Sequence, residues 1–254
     1  MTKINFNHSL IFFNLCIFLS SIEYLRSNNL IIVSLFLILT IGISHGSLDH
    51  IKGKKLIKVL GFKSSSIFYF GYIFVGLTTI FIWILFPKFL LLLFLIIAAF
   101  HFGKEDSEFI NQKKNFELIY FFKGSLIITS PLFFHKEETI LIFEKLNFNI
   151  SNNLIISNEI LFVLILLSLI SGIILALNKS IEAKSLLLMD YLSILILNYF
   201  LAPIIAFTIY FCFLHSIRHS ISLIRELNKN LKKGLPVFIK KALPLTILTI
   251  FGYV

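Results

Sequence analysis

Two imidazoles four residues apart, His215 and His219 in the stretch HSIRHS, close an uncharged run from Ala202 to Leu214. On an α-helix, positions four apart point within roughly 40° of each other, so the two rings can share one metal ion. Arg218 stands between them, and ionisable residues inside an apolar run are costly enough to mark a functional site by default. Two ligands do not complete a coordination shell, so this chemistry requires others to arrive at the same place.

Two further boxes meet that requirement. In HGSLDH, residues 45–50, His45 and Asp49 share a helix face, whereas His50 is turned away from His45 by about 140°. His45 is therefore the expected ligand. Asp49 suits an acceptor for a ligand N–H, fixing ring orientation and basicity, and His50 reads as an interfacial imidazole beside a basic loop. In HFGKED, residues 101–106, His101 ends an apolar stretch, and Gly103 either closes the helix or lets backbone approach the site. Asp106 is a further candidate partner for a ligand; Glu105 is expected in solvent. Arg218 is expected either to pair with Asp49 or Asp106 and hold the boxes together, or to anchor the inner face.

Four neutral imidazoles suit iron, copper or zinc, whereas magnesium and calcium prefer oxygen ligands. Cys16 and Cys212 lie inside apolar runs without a second Cys at ligand or redox spacing, so iron–sulfur chemistry is not expected.

The elements that must carry these boxes follow from composition. Of 254 residues, 57% are hydrophobic, 30 are Phe and only 14% are charged, with mean hydropathy +0.93. This is too apolar for a soluble exterior and predicts an all-α, polytopic transmembrane bundle forming one domain over residues 1–254. A span needs about 20 apolar residues. Runs near 8–25, 29–48, 66–86, 88–103, 116–134, 159–178, 184–201 and 202–219 give eight spans. A shorter run from Ala242 to the end gives a doubtful ninth, which reads as incomplete.

Charge orients the bundle. With the N-terminus inside, eighteen of the 23 Lys and Arg fall in inner segments, and four, Arg26, Lys88, Lys136 and Lys145, fall outside. The inner side is then the cytoplasm of a cell (inner) membrane. The net charge of +10 is thereby explained without nucleic acid, which is not an expected partner. In this topology His45, His101, His215 and His219 all sit at inner ends of spans, at similar depth, whereas His8, His50 and His135 scatter. A site embedded in lipid implies a lipophilic substrate, and iron with O2 as co-substrate follows. Lys123 and Asp190 are costly placements within spans, expected as polar packing contacts. Tyr72, Phe74, Tyr191 and Tyr199 are candidates for lining a substrate tunnel, although packing is the default for any one of so many aromatics.

The patterns His-Gly-x-x-Asp at 45–49, His-Phe-Gly-x-x-Asp at 101–106 and His-x-x-Arg-His at 215–219, in this order on a multi-span chain, resemble the Brp/Blh-type β-carotene 15,15′-dioxygenases. The resemblance extends over nearly the whole chain through its span pattern. It implies an Fe(2+) centre held by His45, His101, His215 and His219, and central cleavage of β-carotene by O2 to two molecules of retinal. Membrane lipid surrounds such a chain, and a retinal-binding rhodopsin is a candidate acceptor of the product. The chain departs from the family in having Ser44 where Pro usually precedes the first box, and in its short final run. Three other classes remain. A membrane lipid or carotenoid hydroxylase or desaturase of the histidine-box kind would bring about eight His for two metals, and a metal transporter would want ligands near the midplane with access from both sides. A bis-His haem protein would require room for a porphyrin between facing helices.

Overall fold

The computed structural model describes residues 2–26, 30–42, 49–62, 64, 66–107, 109–110, 116–145 and 157–253. These residues are helical throughout their regular structure, as expected where no water is at hand to satisfy backbone N–H and C=O groups. The elements are α1 (Thr2–Ser20), α2 (Ile31–Leu37), α3 (Asp49–Val59), α4 (Ser66–Leu85), α5 (Pro87–Glu105), α6 (Glu117–Phe134), α7 (Lys136–Lys145), α8 (Asn158–Ala176), α9 (Ile181–Phe200), α10 (Pro203–Ile209), α11 (Ile217–Leu227) and α12 (Leu231–Tyr253). Two π-helical segments, Ile38–Gly42 and Tyr210–Ser216, extend α2 and join α10 to α11.

Local chemistry explains where the spans begin. Pro87 and Pro203 open α5 and α10, where a missing N–H costs nothing. Ser157 and Ser180 cap α8 and α9, each hydroxyl accepting from a first-turn N–H at 3.4 Å.

Six helices among the described residues are long and apolar enough to cross a membrane: α4, α5, α6, α8, α9 and the continuous Pro203–Leu227. They coincide with six of the eight expected spans. Of the run at 8–25, residues 8–20 lie in α1, whose first turns carry the polar Lys3, Asn5, Asn7 and His8, and the run at 29–48 yields the shorter apolar helix Ile31–Gly42. The expected ninth run belongs to α12, which starts earlier, at Leu231, and contains Pro236 and Pro244.

Pro203–Leu227 is the axis of the bundle. Of its most apolar stretch 61% is buried, against none for the peripheral α4. Leu201, Ala206, Tyr210 and Leu214 pack there with Phe12 and Cys16 of α1, Leu126 of α6 and Leu197 of α9. Cys16 and Cys212 are both buried free thiols.

α5 and α6 meet backbone to backbone. A Cβ at Gly103 would overlap the Tyr120 carbonyl, and one at Gly124 would overlap the Ala99 carbonyl, the close approach that small residues permit between spans. Of the two roles open to Gly103, the structure selects backbone approach. The two π-helical segments also pack on each other, and a Cβ at Gly42 would overlap the Phe211 ring.

Candidate metal centre

α5 and the Pro203–Leu227 helix bring three of the expected ligands together. The ring of His101 lies 5.4 Å from that of His215, and His215 lies 6.4 Å from His219, nearly parallel at 13°. A metal–nitrogen bond of about 2.1 Å puts an imidazole centroid roughly 3.3 Å from the ion, so coordinated pairs stand about 4.6–6.6 Å apart as their angle opens from 90° to 180°. Both separations fall in that range. As the side chains stand, no group of three or more His, Cys, Asp or Glu among the described residues could hold a metal ion. His45 lies outside the described residues, and of Asp49 and His50 only the helical backbone opening α3 is described.

The imidazoles are held in the manner of metal ligands. His215 Nδ1 and Asp106 Oδ1 are 3.0 Å apart, and His219 Nδ1 and Glu105 Oε2 are 2.7 Å apart. With Nδ1–H donating to a carboxylate, each Nε2 carries the lone pair that a metal would take, and the carboxylate raises its basicity. Glu105 is therefore not the solvated residue expected from sequence. Its place four residues after His101, on the same helix face, is the signal in the sequence that could have found it.

Asp106, buried at the C-cap of α5, organises the second level of the site. Its Oδ2 accepts from the Tyr210 hydroxyl at 2.6 Å, and its backbone carbonyl accepts from Arg218 Nη1 at 3.1 Å. Burial opposes ionisation of this carboxyl, but the adjoining His215, with Lys123 and Arg218 behind it, holds it well below the usual carboxylate range.

Arg218 is buried rather than an inner-face anchor, and among the described side chains the carboxylate it meets is Asp190, not that of Asp106. Its Nη1 donates to Asp190 Oδ2 at 2.7 Å and its Nη2 to Asp190 Oδ1 at 3.1 Å, a bidentate pair. Nη2 also donates to Ser9 Oγ at 2.7 Å, and that hydroxyl donates to Asp190 Oδ1 at 2.7 Å. The guanidinium lies 5.4 Å from the Phe109 ring. One side chain thus links α1, α9, α11 and the end of α5, which no reading of a single box revealed. His8 joins the same region, its Nε2 donating to the Phe213 carbonyl at 2.8 Å.

An aromatic wall borders the imidazoles. Phe102 meets His215 edge-on at 4.8 Å, and Phe211 stacks on it at 5.7 Å. Phe207 stacks in turn on Phe211 at 5.4 Å. The aromatics expected to line a tunnel are elsewhere: Tyr72, Phe74 and Tyr199 are exposed on the outside of the bundle. Tyr191 does line a cavity, of about 320 Å³, but this one lies between α6, α8 and α9 and includes no histidine.

The family model described as β-carotene 15,15′-dioxygenase matches residues 36–254, a range that includes all three histidine boxes. A β-carotene 15,15′-dioxygenase of uncultured marine bacterium 66A03 is 26% identical over 197 residues, 73% of this chain. The match spans 66% of that relative's length. No solved structure matches the chain.

Proposed function

Because the chain belongs to the β-carotene 15,15′-dioxygenase family, we propose that it cleaves β-carotene at the central double bond with O2, giving two molecules of retinal. The centre is an Fe(2+) ion held by His45, His101, His215 and His219. The observation that carries this reading is the pairing of two neighbouring imidazoles with carboxylates through Nδ1, His215 with Asp106 and His219 with Glu105, beside a third ring, His101. That donor set fits a divalent transition metal.

When bound, the ion would supply a coordination site for O2 beside the polyene. The chain's own residues do the rest. Asp106 and Glu105 fix the tautomer and orientation of two rings, and Tyr210 engages the second oxygen of Asp106 so that this carboxylate has one orientation. Phe102 and Phe211 exclude water and offer flat faces to a conjugated chain. One carbon–carbon double bond breaks, two carbon–oxygen double bonds form, and each aldehyde keeps one atom of O2, so no external reductant enters the balance.

The protein is a multi-pass protein of the cell membrane, its N-terminus and its metal site on the cytoplasmic side, and a retinal-binding rhodopsin is a fitting acceptor of the product. Expressed in a bacterium that accumulates β-carotene, it should bleach the colour and yield retinal. Removing O2 should stop the bleaching, and omitting NAD(P)H from a purified ferrous assay should not. A hydroxylated carotenoid would favour a hydroxylase instead, and unchanged carotenoid with an intact iron centre would overturn the reading.

A further inference from the structure

A second cavity, of about 240 Å³, lies between α5, α6, α7 and α10 and is almost wholly apolar. Its end nearest the histidines is formed by Phe102 and Phe207, its middle by Ala98 and Ile127, and its far end by Pro131 and Ile142. Phe102 is in edge contact with His215, so the cavity stops one aromatic ring short of the imidazoles. Phe94, 62% exposed, stands at its lipid-facing side. α7 crosses the far end and is fixed there by Thr139, whose hydroxyl is within hydrogen-bond reach of the Pro131 and His135 carbonyls, at 3.1 and 2.8 Å.

Resting on the cleavage reading above, we propose that this cavity is a ruler. It seats one arm and terminal ring of the polyene, and its α7 end sets which double bond meets the metal. The lining residues of α5 run from Phe94 to Phe102, eight residues or about 12 Å of helix. An extended chain advances about 1.2 Å per bond, so the roughly nine bonds from the central carbon of β-carotene to its ring span about 11 Å. With the ring itself, about 5 Å deep, against Pro131 and Ile142, the central bond reaches just past the Phe102 layer, on the side of the imidazoles. The cavity carries no charge and nearly no polar surface, which selects a hydrocarbon end group over a hydroxylated one. Entry is lateral, past Phe94, as suits a substrate dissolved in the bilayer.

The test changes the depth of the cavity without touching a histidine or a carboxylate. Ile142→Trp should raise the floor, so that the polyene seats less deeply and the metal meets a bond nearer the seated ring. Retinal should fall about 100-fold, with a longer apocarotenal in its place, while iron per chain stays at the wild-type value. Ala98→Phe should block the middle and abolish retention of β-carotene by the iron-free full chain, read from its visible absorption after purification. Retinal as sole product at the wild-type rate from Ile142→Trp, with wild-type retention by Ala98→Phe, would overturn the ruler. If the wild-type chain cleaves no carotenoid, the cleavage reading fails by itself, whereas retention by wild type and its loss in Ala98→Phe would still assign the cavity to a polyene.

Discussion

Arg218 and Asp190, 28 residues apart in sequence, face each other in a two-point ion pair, with Nη1 to Oδ2 at 2.7 Å and Nη2 to Oδ1 at 3.1 Å. Both side chains are buried, and removing one partner from such a pair leaves an uncompensated charge inside the bundle. Asp190→Ala should therefore cost about 3–5 kcal/mol, whereas Asp190→Leu combined with Arg218→Met should cost less. Thermal unfolding of the detergent-solubilised variants measures this. A wild-type melting temperature for Asp190→Ala would show that the pair does not hold the helices together.

Metal loading should follow the four histidines. Purified protein should carry about one iron per chain, and Ala at His45, His101, His215 or His219 should each empty the centre. Elemental analysis checks this in preparations that are never assayed for activity. Full iron in His219→Ala would remove that residue from the shell.

The carboxylates behind the rings should rank by what they hold. Asp106→Asn and Glu105→Gln should each lower metal affinity by about 10–100-fold. The larger effect is expected at Asp106, which is buried and holds both His215 and Tyr210. Competition with a chelator gives the affinities, and equal affinity in all three proteins would leave the carboxylates without this role.

In the first box, Asp49→Asn should act like Asp106→Asn, while His50→Ala should have little effect. Equal and complete loss of metal from both would mean that the other face of that helix meets the iron.

At the α5–α6 contact, Gly103→Ala should destabilise by about 3 kcal/mol or more, because the new methyl would meet the Tyr120 carbonyl, a rigid backbone atom. Gly76→Ala on α4 has open space around it and should stabilise by about 0.5–1 kcal/mol. Melting temperatures moving in the same direction for both would contradict the helix contact described here.

Much of this protein was determined by its sequence alone. Long uncharged runs leave the helix as the way to satisfy the backbone, and six of the runs became span-length helices at nearly the expected limits. Histidines at matching ends of spans 4 and 8 were bound to meet once those helices packed together, as His101 and His215 do. Ala99, Gly103 and Gly124 likewise carried the close α5–α6 approach, since only small side chains allow it.

The partners of the charged side chains were decided by the tertiary structure. Arg218 had more than one carboxylate to choose from, and only the packing of α1, α9 and α11 selected Asp190 with Ser9 over the Asp106 side chain. The π-helical segment Tyr210–Ser216 was equally hidden. Its flanking run is apolar on every face, so no hydrophobic period records a change from i→i−4 to i→i−5 bonding. The same holds for the cavity beside Phe102: among the described residues Phe and Ile are more often exposed than buried, so their presence does not mark an interior. Side-chain type sets a residue's preference for hydrocarbon, but only the neighbouring helices decide whether that hydrocarbon is protein, lipid or substrate.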